Sequence, residues 1–265
     1  MIAYTKLSIT QLKSVMSKPS PRSDRAYRAL RQAIIEQALL PGAKLPEDEI
    51  GEHFAMSRTL ARSTLARLAA EGLVDAPVRR TATVARPGLE EARDVFEVRR
   101  ALEREAVALV VRRWRPDFGA VLEGHVREEE AARARRDDRV SIRLAGEFHT
   151  LLAGLSGNKV LERALGELVT RCSLILALYG RPHSSECAVS EHSEIIAALR
   201  RQDIETAVRL MDTHVGSVEQ RALLNQLQGT EVALGTILSR YGEDDGALNV
   251  VAMTPSGRKA RGGAA

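Results

Sequence analysis

Three arginines, Arg58, Arg62 and Arg67, stand in the stretch MSRTLARSTLARLAAEGLV (56–74), and the helical period sets Arg58, Thr59 and Arg62 on a different face from Ala61, Leu65 and Leu68. Ser57 precedes the periodic run at a position suited to an N-cap, and Gly72 ends it. A guanidinium fork on the first turns of a helix can donate two parallel hydrogen bonds to a guanine edge or to a phosphate. Ser57 and Thr59 can donate to phosphate oxygens, and the positive end of the helix attracts them. Taken alone, the same residues fit an ordinary solvated face.

A second set of chemistry-bearing residues lies further along. In DVFEVRRALEREAVAL (94–109), Val95, Val98, Leu102, Ala106 and Leu109 form an apolar stripe, with Arg99 beside it and Arg100 pointing away. A cation leaning into a core needs a partner, because an unpaired buried charge is costly. A helix glutamate and a carboxylate ligand both satisfy that need. His149 adjoins Phe148, Leu151, Leu152 and Leu155; His192 shares a face with Ile195, Ile196 and Leu199; His214 follows Ala207, Leu210 and Met211 and precedes Val218. Their separations of 43 and 22 residues match no local metal motif, so core histidines and ligands both remain open. Cys172 and Cys187 show neither metal spacing nor a disulfide framework and read as free thiols in a reducing cytoplasm.

The elements that must position these residues are mostly α. Aromatics make up only 3% of the 265 residues, and Ala, Leu, Arg and Glu recur at helical spacing. Residues 22–88 read as a helix from about Ser23 to Leu40, a break at PGAKLP (41–46), a short helix over 47–55, the arginine helix, and two β-prone pieces around PVRRTA. That order outlines a winged helix-turn-helix. Residues 89–228 read as an antiparallel helical bundle, with helices near 89–113, 117–136, 139–155, 158–179, 187–200 and 203–227 and short breaks between them. Residues 1–21 read as a flexible arm without a signal peptide's apolar centre, and 229–265 as a partly disordered tail. No apolar run approaches the roughly 18 residues of a membrane span. A formal charge of +4 permits a polyanionic partner, and scarce aromatics argue against a stacking platform for single strands.

The run LRQAIIEQALLPGAKLPEDEIGEHFAMSRTLARSTLARLAAEGLV resembles the N-terminal domain of GntR-family bacterial transcription regulators. Pro41-Gly42, Leu45, Glu47, Ile50, Ser57-Arg58-Thr59, Arg62, Leu65, Arg67-Leu68 and Glu71-Gly72-Leu73-Val74 stand in register with that family's pattern. The resemblance makes Ser57, Arg58, Thr59 and Arg62 the DNA-contacting group, with Arg80 on the wing. Two positions depart from it. Asp48 stands where the second helix often carries a DNA-contacting arginine, and Thr81, after Arg79-Arg80, where the wing tip often has a glycine.

Residues 90–220 resemble the all-helical FCD ligand-binding domain of the FadR-type branch, through FEVRRALEREAVAL, FHTLLAGLSGN and SEHSEIIAALRRQDIETAVRLMDTH. The resemblance places Arg99, His149, Asn158, His192 and His214 at an effector cavity, and makes His149, His192 and His214 ligands to a divalent metal such as zinc or nickel. Ala145 replaces the family's usual aspartate, one turn before His149, which removes a ligand and a negative charge and implies weaker binding. The implied protein is a homodimeric regulator, more often a repressor than an activator in this family. It would bind a pseudo-palindromic duplex operator and answer to a small organic acid. The alternative is a metal-dependent enzyme using the three histidines; no Asp or Glu stands in a motif that would make it the general base.

Overall fold

The computed structural model describes residues 21–180, 188–223 and 234–241. The arm before Pro21, Cys187 and most of the expected tail lie outside them. Helix α1 (Pro21–Ile35) opens on a proline, whose missing N–H is tolerated in a first turn, and buries Ala26, Ala29, Leu30, Ala33 and Ile34. The apolar period runs on to Leu40, but the chain leaves the helix at Gln37 (φ 56°), where Ala38 N–H bonds back to the Ala33 carbonyl. Leu39 still reaches the same core. The PGAKLP segment, read as a break, contains strand β1 (Lys44–Leu45). Gly42, at φ 89°, donates its N–H to the Val84 carbonyl and brings this strand to the sheet.

Helices α2 (Glu47–His53) and α3 (Arg58–Ala70) form the helix-turn-helix. The turn is tight at Gly51, where a Cβ would lie 2.9 Å from the Met56 carbonyl oxygen. Ser57 caps α3 by accepting from Leu60 N–H at 3.3 Å, as its position requires. Strands β2 (Val74–Asp75) and β3 (Ala82–Val84) pair antiparallel with Val74 opposite Val84, and β1 closes the sheet in the order β1-β3-β2. Leu30, Ile34, Leu45, Ile50, Leu65, Leu68, Leu73 and Val84 fill this domain's core.

The bundle comprises α4 (Leu89–Arg112), α5 (Pro116–Ala134), α6 (Asp138–Leu155), α7 (Lys159–Tyr179), α8 (Ala188–Arg200) and α9 (Ile204–Leu223). Helix α4 runs through the middle, packed by α6 and α7 and by α9. That enclosure rotates and widens its buried arc. Val98, assigned to the stripe by spacing, is 49% exposed, whereas Phe96, Arg99 and Glu103 are buried. Phe96, Val110, Leu122, Phe148, Leu152, Ile195, Leu199 and Met211 form the bundle core.

Within the segment read as a tail, residues 234–241 form a further helix, α10 (Leu234–Tyr241). Leu234 and Leu238, one turn apart, are buried in the winged-helix core against α1 and α2. The two halves also meet along α7. Leu174 enters the winged-helix core, Arg31 donates to Thr170 Oγ1 at 3.2 Å, and Arg171 bonds to the Gly72 carbonyl and to Glu91. Arg143 of α6 holds the buried Glu36 at 3.0 Å. No described helix is long and apolar enough to cross a membrane.

Candidate metal centre and nucleic-acid interface

The exposed end of α3 carries the four residues expected to face DNA. Ser57, Arg58, Thr59 and Arg62 are all solvent-exposed, and Arg80 is exposed on the wing between β2 and β3. Neither helix arginine is free. Arg58 pairs with Asp48, its Nη2 donating to Oδ2 at 2.7 Å and its Nε meeting Oδ1. Arg62 forms a second fork with Glu47, from Nε at 2.7 Å and from Nη2 at 2.8 Å. The fork holds the Glu47 carboxyl below the usual carboxylate range. Both acidic partners stand in the first turn of α2, and sequence reading noted Asp48 only as a departure.

Inside the bundle, His149 of α6, His192 of α8 and His214 of α9 meet although 65 residues separate the first from the last. One nitrogen from each lies within 4.8 Å of the others, and all three rings are buried. His149 Nε2 and His214 Nε2 are 3.2 Å apart. Phe148 stacks on the His192 ring with centroids 3.8 Å apart, which restrains that ring's orientation.

A carboxylate stands behind each imidazole. Glu191 Oε2 lies 2.5 Å from His214 Nδ1, and Glu129 lies 3.0 Å from His192 Nδ1. Glu103 Oε1 is 2.7 Å from His149 Nδ1, though off the axis of a straight hydrogen bond. A carboxylate at Nδ1 favours the tautomer with its proton on that nitrogen, so Nε2 is left as a lone pair. Two such lone pairs face each other between His149 and His214, and His192 Nε2 is buried without a partner. Opposed lone pairs repel unless a cation or a proton lies between them. The donor set therefore fits a divalent metal held by three neutral imidazoles, each oriented by an outer carboxylate.

The electrostatics agree with that chemistry. Burial, Arg99 and the other two imidazoles push His149 well below the ordinary histidine range, and burial lowers His214 despite Glu191. Burial opposes ionisation of Glu129, but hydrogen bonds from His125 and His192 bring its carboxyl down to about 2. Arg99 is buried, donating from Nε to Glu103 Oε1 at 3.0 Å and from Nη1 to Cys172 Sγ at 3.2 Å. Burial raises Glu103, with Arg99 opposing. Glu103 thus links the arginine to His149.

The structure brings Arg99 and the three histidines to one region but not Asn158. The Asn158 side-chain oxygen caps α7, accepting from Val160 and Leu161 N–H at 3.1 and 3.2 Å. Sequence reading missed the three supporting carboxylates. Two had a local signal, since Glu103 follows Arg99 and Glu129 follows His125 by one helical turn. Glu191 had none that pointed to His214, because that pair forms only where α8 packs on α9.

Comparison with known proteins places this geometry in context. Residues 22–84 match the profile described as bacterial regulatory proteins, gntR family, and residues 94–217 match the FCD domain. The chain is 26% identical over 203 residues to the uncharacterized HTH-type transcriptional regulator YdhC of Bacillus subtilis (strain 168), covering 75% of this chain and 90% of that protein. It is 23% identical over 225 residues to the HTH-type transcriptional repressor RspR of Escherichia coli (strain K12), covering 83% and 93%. Among solved structures, E. coli McbR/YncC superposes with a TM-score of 0.65 at 23% identity over 75% of this chain and 97% of that one. A GntR transcriptional regulator from Rhodococcus sp. RHA1 gives 0.68 at 23% identity over 77% and 98%.

Proposed function

Because this chain belongs to the GntR family of transcriptional regulators, with a GntR DNA-binding domain joined to an FCD domain, we propose that it is a metal-dependent, metabolite-responsive repressor. The E. coli relative named a repressor supports the sign of regulation. The matched families and relatives are regulators, so the three-histidine enzyme is set aside.

In this reading two copies form a homodimer in the cytoplasm and present two α3 helices to a pseudo-palindromic operator, each through Ser57, Arg58, Thr59 and Arg62, with Arg80 on the wing. His149, His192 and His214 hold a zinc or nickel ion, and the observation that carries this is the convergence of three carboxylate-backed imidazoles on one point. A metal held there would supply a Lewis-acidic partner for an anionic effector. Arg99 and His149 both meet Glu103 Oε1, and a small carboxylate would share the guanidinium with Glu103. Glu129 and Glu191 supply outer-sphere negative charge that offsets the loss of a ligand at Ala145. Helix α7 carries Cys172 toward Arg99 and Thr170, Arg171 and Leu174 toward the winged helix. Displacement of Arg99 therefore has a continuous path of packed groups to α3.

The test is operator binding by fluorescence anisotropy with and without zinc and a panel of two- to six-carbon mono- and dicarboxylates, on the wild type and the His192→Ala/His214→Ala variant. We expect at least one acid to shift the wild-type affinity at least fivefold in the presence of zinc, and no shift in the variant. An identical shift in the variant would overturn the metal-based reading.

A further inference from the structure

The two arginine forks at the DNA-facing end of α3 are alike in a way their sequence positions do not suggest. Arg58 and Arg62 each offer the same edge, Nε and Nη2, to a carboxylate from the first turn of α2. A guanidinium has five N–H donors, so an arginine held by that edge still presents its outer end, Nη1 with the second proton of Nη2. The outer end carries two parallel N–H donors and can read guanine O6 and N7. Two consequences follow from the pairing. Each carboxylate orders a side chain that would otherwise sample many rotamers. Each also cancels the positive charge through which the arginine would be drawn to any phosphate.

We propose that Asp48 is a selectivity residue for DNA binding, holding Arg58 ready for a guanine while cancelling its attraction to DNA of arbitrary sequence. The proposal rests on α3 being the recognition helix. Asp48 is the informative position because Glu47 belongs to the sequence pattern shared with GntR regulators, whereas Asp48 departs from it. On random duplexes Arg58 contributes through its charge and through phosphate contact, both of which Asp48 weakens. On a preferred site the fork gains hydrogen bonds to a base, and the ordering by Asp48 compensates for the charge it removes.

The experiment measures binding of two duplexes, one selected by the wild-type protein from a random pool and one scrambled version of it, across a salt series. The proteins are wild type, Asp48→Asn, Arg58→Ala and the double variant. Asp48→Asn restores about one net positive charge at the interface. It should tighten binding to the scrambled duplex about fivefold at 0.15 M salt and steepen the salt slope by about 1. Binding to the selected duplex should tighten less than twofold, so discrimination falls. In the Arg58→Ala background the loss of discrimination on adding Asp48→Asn should disappear. Unchanged or improved discrimination in Asp48→Asn, with Arg58→Ala still weakening the selected duplex, overturns the role of Asp48 alone. If Arg58→Ala leaves the selected duplex unaffected, the recognition-helix reading itself fails, and this inference with it. Asp48 and Arg58 are exposed, and unchanged melting curves establish that every variant is folded.

Discussion

Cys172 and Arg171 are neighbours on α7 that look in opposite directions. The Cys172 sulfur accepts from Arg99 Nη1 at 3.2 Å inside the bundle, while Arg171 bonds to the Gly72 carbonyl at the end of α3 and to Glu91. Gly72 lies at φ 72°, the left-handed conformation that ends α3. One helix thus touches the proposed effector arginine with one residue and the C-terminal end of α3 with its neighbour.

Arg171→Ala should weaken the coupling between the two halves while leaving each intact. Allosteric coupling is typically worth about 1–3 kcal/mol, so the effector-dependent change in operator affinity should shrink severalfold. Zinc affinity, measured by competition with a chromophoric chelator, should stay within about twofold of the wild type. Equal effector response in the variant and the wild type would show that signal does not pass through this contact.

Metal binding should depend on the outer carboxylates as well as the imidazoles. Glu129→Gln and Glu191→Gln are each expected to lower zinc affinity about 10- to 100-fold, because the imidazole behind which they stand loses both orientation and basicity. Ala145→Asp adds a carboxylate one turn before His149 and should tighten binding. Isothermal titration of chelator-stripped protein checks all three, and affinities that ignore Glu129 and Glu191 together would count against the three-imidazole site.

Arg62→Ala should weaken binding to the selected duplex by about 1–3 kcal/mol without lowering the melting temperature. Its side chain is exposed, and surface ion pairs such as Arg62–Glu47 contribute little to stability. Anisotropy titration at fixed salt, beside a thermal melt of the same sample, separates a contact role from a folding role.

Leu238→Ala should destabilise the DNA-binding half by about 2–5 kcal/mol, the usual range for removing a fully buried leucine. The core it completes is built from residues some two hundred positions earlier, including Ile50 and Phe54. Hydrogen exchange resolved by segment should show loss of protection in α1 and α2. Unchanged protection there would mean that α10 does not serve the winged helix.

Local pattern determined much of this protein. Alternation of apolar and charged residues at helical spacing, a serine before Arg58 and a glycine after Glu71 are enough to specify α3, because capping and amphipathicity act over a few residues. The same holds for the bundle helices, whose breaks fall at Pro116, Gly157 and Gly180. Tertiary structure alone decided which polar groups share a site. His149, His192 and His214 come from three helices, and their carboxylates come from α4, α5 and α8, so their meeting depends on how five helices cross rather than on any spacing. The pairing of Arg58 with Asp48, the exposure of Val98 and the docking of α10 have the same origin. A helix has a face by virtue of its own sequence, but what lies opposite that face is set by packing with segments far away in the chain.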